Sequence, residues 1–181
     1  MNLFISLAVA IAVVTGIGVY HYGERSESRA DSFQEKAGQT PASYRRPAFS
    51  MVDIDGRLRK AEEWDGKVLL INFWATWCPP CLKEIPLFVE LQEKYRERNF
   101  QIIGIAIDDE NAVRDFALRY DINYPVIAAD EPAVELTRRY GNRDVLLPYT
   151  VFVDADSNIV AAKAGLMSGK EVESIILPLL P

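Results

Sequence analysis

The chain is poor in nitrogen and sulfur metal ligands: its 181 residues include two cysteines, Cys78 and Cys81, and one histidine, His21. A structural zinc site needs about four nitrogen or sulfur ligands, so a metal clip built from this set lacks donors. A Cys/His nucleophile pair would need His21 to fold back from the far N-terminus. Positive charge is also in deficit, with 20 Lys and Arg against 26 Asp and Glu for a formal net charge of −6. Nucleic-acid binding requires a basic face, so that class is set aside and the charge is read as solubility. No internal repeat or low-complexity tract is present.

Only one uncharged run approaches the length that spans a bilayer. Leu3–Tyr20 (LFISLAVAIAVVTGIGVY) carries no charge. As a helix it would span about 27 Å, close to the ~30 Å hydrocarbon core of a bilayer. The apolar part of a cleaved signal peptide is usually only ~7–15 residues, followed by a small-x-small cleavage site. The nearest such site here, Ser28-Arg29-Ala30, lies well beyond the run. Residues 1–22 are therefore expected to be an uncleaved signal anchor, with a cleaved signal or a buried core helix as alternatives. No Lys or Arg precedes the run, and Arg25 and Arg29 alternate with Glu24 and Glu27, so flanking charge does not choose a membrane side.

Residues 23–47 are polar, mixed in charge and nearly free of aliphatics, a composition that buries too little surface to fold. They are expected to be a flexible linker, leaving 48–181 as the globular domain. Within it, Asp55-Gly56 marks a hairpin between FSMVDI and RLRK. VLLINFWA (68–75) and QIIGIAI (101–107) are apolar runs of the kind found in strands buried on both faces. Leu82, Ile85, Phe88, Leu91 and Tyr95 form a helical stripe over 79–98. A helix through Val113, Phe116, Ala117 and Tyr120, a short strand at 124–129 and a helix at 131–140 ended by Gly141 follow. YTVFVD (149–154) and IVAAKAG (159–165) read as a hairpin, and Ser168 as the N-cap of a closing helix. Strands alternating with helices, then a late hairpin, predict an α/β fold with a mixed central sheet.

The two cysteines lie where the first buried strand gives way to a helix. Unpaired N–H groups and a partial positive charge at a helix start favour an anion there. Cys78 is expected at the cap, facing outward, and Cys81 one turn in and more shielded, so that Cys78 attacks and Cys81 resolves. A structural disulfide closing so short a loop removes little chain entropy. A reversible dithiol is therefore preferred over a staple or a metal clip.

FWATWCPPC resembles the active-site segment of the thioredoxin superfamily. Together with the apolar N-terminus, the Pro-Pro dipeptide and the KEIP that follows, it is similar to the membrane-anchored TlpA/ResA-like thiol-disulfide oxidoreductases, over residues 46–178. The resemblance implies a thioredoxin-like fold preceded by a transmembrane helix, with 101–140 containing the family's added strand and helix. It implies a single-pass protein of the bacterial inner membrane, monomeric, whose domain faces the periplasm. Its substrates would be disulfide-bearing proteins, for example in cytochrome c maturation or metal-site assembly. A membrane thiol donor would re-reduce it, and no cofactor beyond the Cys78–Cys81 pair would be needed. Pro86 takes the place of the proline the family carries in this helix. Pro148, on residues alone a strand-entry proline, would be the superfamily's cis-proline, and Leu147 and Pro148 would present backbone to substrate.

Trp77, Pro79 and Pro80 are assigned to partner contact beside the cysteines, and Trp74 to the core. Glu84 follows Cys81 by three residues, on the same helical face. It is either an acid complementing the helix dipole or, as the resemblance implies, the group that manages the second thiol's proton. Thioredoxin carries a buried Asp on the central strand where this chain has Asn72, which cannot exchange a proton, so Glu84 is the nearest base by sequence. Pro79 and Pro80 lack N–H groups, which should leave the Cys78 thiolate less stabilised than in a strong oxidant and make the dithiol an electron donor. Two other readings remain: a peroxide reductase, although P-x-x-x-T-x-x-C is missing before Cys78, and a tethered chaperone or metallochaperone without redox turnover.

Overall fold

A computed structural model describes residues 44–181. The expected anchor and most of the expected linker lie outside these residues. Among the described residues no helix is long and apolar enough to cross a membrane.

The sheet is built around VLLINFW. These seven residues form β4 (Val68–Trp74) and every one is buried. β5 (Phe100–Ala106) lies parallel to it, with Trp74 opposite Ala106, and the short β6 (Val126–Ala128) is parallel to β5. On the other side β7 (Tyr149–Val153) is antiparallel to β4, and β8 (Asn158–Ala164) to β7. β1 (Tyr44–Arg45) closes that edge, giving the order β1-β8-β7-β4-β5-β6. The hairpin predicted around Asp55-Gly56 is β2 (Ser50–Val52) with β3 (Leu58–Lys60). It is fastened to the β6 edge by an Asp53–Ile127 bridge.

β4 must be apolar on both faces because a core lies on each. Leu70 and Trp74 face one core, together with Ile85 and Phe88 of α1 (Pro79–Tyr95), Val113 of α2 (Glu110–Arg119) and Val172 of α4 (Gly169–Ile176). Leu69, Ile71 and Phe73 face the other, with Ala133 and Leu136 of α3 (Glu131–Arg139) and Trp64. The parallel crossovers and the flanking helices make this the mixed α/β fold expected from the alternation of elements.

The linker boundary needs correction. Tyr44 and Arg45 pair with Ile159 and Asn158. Arg46 is buried, bonded to Asp65 at 2.6 Å and donating to the Ala61 carbonyl. Tyr140 donates its hydroxyl to the Pro47 carbonyl at 2.9 Å. Residues 44–47 thus belong to the domain. Backbone pairing and one neutralised arginine hold them, neither of which hydrophobic composition can register.

Candidate active site

The apolar run of β4 ends at Trp74, and four residues later α1 starts with Pro79 and Pro80 as its first two residues. Proline is well suited there, because those N–H groups have no intrahelical partner. Cys78 is the N-cap, in extended conformation, and its side chain makes no capping bond. Cys78 and Cys81 are joined as a disulfide, with their Cα atoms 5.3 Å apart. Cys78 is 4% and Cys81 1% exposed. The expected order of shielding is present, but Cys78 is far less open than a residue facing outward, since its sulfur is engaged with Cys81 inside the apolar core cluster.

Glu84 lies one turn beyond Cys81 and is 1% exposed. Its Oε1 accepts the Met167 backbone N–H at 2.5 Å, while Oε2 has no partner among the described residues. Loss of water favours the neutral acid and pushes the carboxyl up to about 7, against opposing pulls from the Met167 N–H and the charge of Lys163. The acid on a helix is therefore a buried group that changes protonation near neutrality. Asn72 is spent otherwise: its amide donates to the Thr150 hydroxyl across the β4–β7 pair at 3.1 Å.

Around the disulfide, Trp77 is 65% exposed, whereas Trp74 is wholly buried beside Phe116. Pro79 is exposed and Pro80 half-buried. The Leu147–Pro148 peptide bond is cis, and the Pro148 carbonyl accepts the Gly165 N–H at 2.8 Å. Leu147 is half-buried and packs on the core that contains both cysteines. The chain just after β8 therefore lies beside the Leu147–Pro148 turn and then supplies Met167 to Glu84. The structure brings Cys78, Cys81, Glu84, Leu147, Pro148 and the α1 prolines into one region, with Trp77 on the same loop at the surface.

Four residues escaped the sequence reading. Met167 acts through its backbone, which no side-chain motif announces. Leu146 and Leu166, both about half exposed, add apolar surface next to Leu147 and Gly165. The fourth is a carboxylate: Asp108, just beyond β5, accepts both the backbone N–H of Thr76 at 2.9 Å and its hydroxyl. The available signal was the Asp-Asp pair at the strand end, of which only Asp109 is used to cap α2.

Among the described residues no cluster of three or more His, Cys, Asp or Glu could hold a metal ion. The chemistry this region offers is a sulfur–sulfur bond at a helix start with a titratable acid buried behind it.

Comparisons with known proteins point the same way. The Redoxin family model matches residues 30–176. The chain is similar to the thiol-disulfide oxidoreductase ResA of Bacillus thuringiensis subsp. konkukian, 32% identical over 136 residues, which is 75% of this chain and 76% of the relative. It is 29% identical to ResA of Halalkalibacterium halodurans over 173 residues, 95% of this chain and 90% of that one. Among solved structures it resembles a thioredoxin-family thiol:disulfide interchange protein from Chlorobium tepidum. That match has a TM-score of 0.71 and 29% identity, and covers 78% of this chain and 99% of that one.

Proposed function

Since the chain belongs to the redoxin family and is a ResA-like thiol-disulfide oxidoreductase of the thioredoxin superfamily, we propose that it reduces disulfides of partner proteins outside the bacterial cytoplasmic membrane. The observation that carries this reading is the buried Glu84, with its carboxyl near 7, one helical turn from the inner cysteine.

In the reduced protein the Cys78 thiolate attacks one sulfur of a partner disulfide. The other partner sulfur leaves as a thiolate and a mixed disulfide forms. Cys81 gives its proton to the Glu84 carboxylate and attacks the Cys78 sulfur, releasing the second partner thiolate. The proton on Glu84 and one from solvent neutralise the two released thiolates. The partner has then gained two electrons and two protons, and the chain holds the Cys78–Cys81 disulfide. A membrane thiol donor supplies two electrons to reset it.

The direction of flow rests on Pro79 and Pro80, which remove two N–H donors from the helix start that faces the Cys78 thiolate. A Cys78 pKa below about 5 would overturn the donor role. Location rests on the uncharged Leu3–Tyr20 run as a single anchor, with Trp77, Pro79, Pro80 and Leu147 turned to the extracytoplasmic partner and Pro148, itself buried, shaping the turn behind Leu147.

The test is a trap. Cys81→Ser in the full chain should accumulate a partner adduct that dithiothreitol releases, recovered from the membrane fraction. Its identity separates a cytochrome c apoprotein from a metal-site assembly protein. Absence of any adduct, with insulin reduction surviving in Cys78→Ser, would overturn the cycle.

A further inference from the structure

The loop that delivers Cys78 lacks the usual means of fastening a helix entrance. Cys78 makes no side-chain capping bond, and α1 opens with two prolines that have no N–H to be capped. A helix start normally takes about 1 kcal/mol from a Ser, Thr, Asp or Asn cap, and here that contribution is missing. The loop is held instead from the neighbouring strand. The Trp74 carbonyl accepts the Ile107 N–H at 2.9 Å, and Cys78 N–H closes a turn onto the Ala75 carbonyl at 3.2 Å. Between these two points the only side-chain bonds among the described residues are those of Thr76. Its N–H and hydroxyl converge on Oδ2 of Asp108, while Oδ1 of Asp108 accepts the Asp109 N–H. Two donors on one carboxylate oxygen, itself tied to the entrance of α2, form a charge-assisted clamp.

We infer that Asp108 is a positioning residue for the thiol pair, fixing Thr76 and thereby the N-cap Cys78 at bonding distance from Cys81. The inference rests on the oxidoreductase reading and specifies what sets the poise of that site. Closure of the disulfide depends on how often one sulfur meets the other, an effective concentration fixed by the restraint on each. Cys81 is restrained by α1. Cys78 precedes the helix and is restrained by the loop. Releasing the clamp therefore lowers the stability of the disulfide relative to the dithiol and weakens the protein as a donor.

The test measures the equilibrium of the full chain with glutathione, in which the dithiol passes two electrons and two protons to glutathione disulfide, yielding the Cys78–Cys81 bond and two glutathione thiols. Asp108→Ala should lower the equilibrium constant for closing the Cys78–Cys81 bond about tenfold, a potential about 30 mV less negative. Asp108→Asn keeps a carbonyl oxygen for the Thr76 N–H and should stay within about threefold of the parent. Thr76→Val keeps the N–H and the charge of Asp108 but not the hydroxyl, and should shift in the same direction as Asp108→Ala. Thr76→Ser should restore the parent value.

The inference is overturned if Asp108→Ala leaves the constant unchanged. It is also overturned if Asp108→Asn matches Asp108→Ala while Thr76→Val matches the parent, because charge alone would then be responsible. Should Asp108→Ala fail to fold, the Thr76→Val and Thr76→Ser pair decides, and equality of the two overturns the inference. A parent chain that does not exchange with glutathione overturns the oxidoreductase reading instead.

Discussion

Glu84 is the residue at which stability and chemistry meet. Its carboxyl is raised from 4.5 to about 7, first by desolvation. A carboxyl raised on folding retains its proton longer in the folded state, so its effect on stability is neutral below about pH 4.5. Stability is then lost as pH climbs through the folded value. The loss is about 3 kcal/mol once both states are ionised. Glu84→Gln accepts the Met167 N–H equally well and has nothing to ionise. Thermal melts of the oxidised chain should show the parent falling between pH 5 and 8 and the Gln variant flatter, with the variant more stable at pH 8. The same substitution should slow release of a partner from the mixed disulfide about a hundredfold. Because it leaves the first attack by Cys78 nearly unchanged, stopped-flow kinetics separates the two steps. The position of Glu84 was legible because three residues along a helix bring side chains to one face. Its partner was not, because Met167 is 83 residues away and contributes only backbone. The Asp108–Thr76 clamp was hidden for a similar reason, spanning 32 residues.

At the scale of elements, the last helix connects the edge of the domain to the site. Ser168 caps α4 and forms a reciprocal capping box with Glu171. Bonds from Lys163 and Ser168 hold the Glu171 carboxyl down to about 2, so the box persists well into acid. Met167, immediately before the cap, is the Glu84 partner. Ser168→Ala should therefore cost about 1 kcal/mol, seen as a melting point lower by about 3 °C. A tighter constraint acts in β5. A Cβ on Gly104 would meet Nε1 of Trp74 at 3.1 Å and Cε2 of Tyr124 at 3.3 Å. Gly104→Ala should accordingly destabilise by about 1–3 kcal/mol through overpacking in chemical denaturation. Strands β4 and β5 were legible as apolar runs, and Ser168 as a cap. The entry of Tyr44 and Arg45 into the sheet was not, since an edge strand of two residues with an exposed pattern carries no periodicity. The helix expected over 79–98 is present as α1 followed by a 3-10 turn at Arg96–Arg98, and Asn99, left-handed at φ 57°, ends it.

For the molecule as a whole, the direction of electron flow is a statement about which redox form is more stable. Folding and disulfide formation are linked, so the oxidised protein is more stable than the reduced one when the folded chain closes its disulfide more readily than the unfolded chain does. The reverse holds for an oxidant, whose reduced form is the stabilised one. Closing so short a loop contributes only about 2 kcal/mol through chain entropy, and the two apolar cores that flank the sheet are built mostly from other side chains, the cysteines belonging to one of them. Reduction should therefore leave the domain folded. If this chain is a donor, the disulfide form should melt higher than the dithiol form, by about 5 °C for a contribution of that size. Calorimetry of the full chain, with and without excess dithiothreitol at pH 7, reads the difference directly. A reduced form that melts higher than the oxidised one would reverse the assignment and make the protein an acceptor of electrons from its partners.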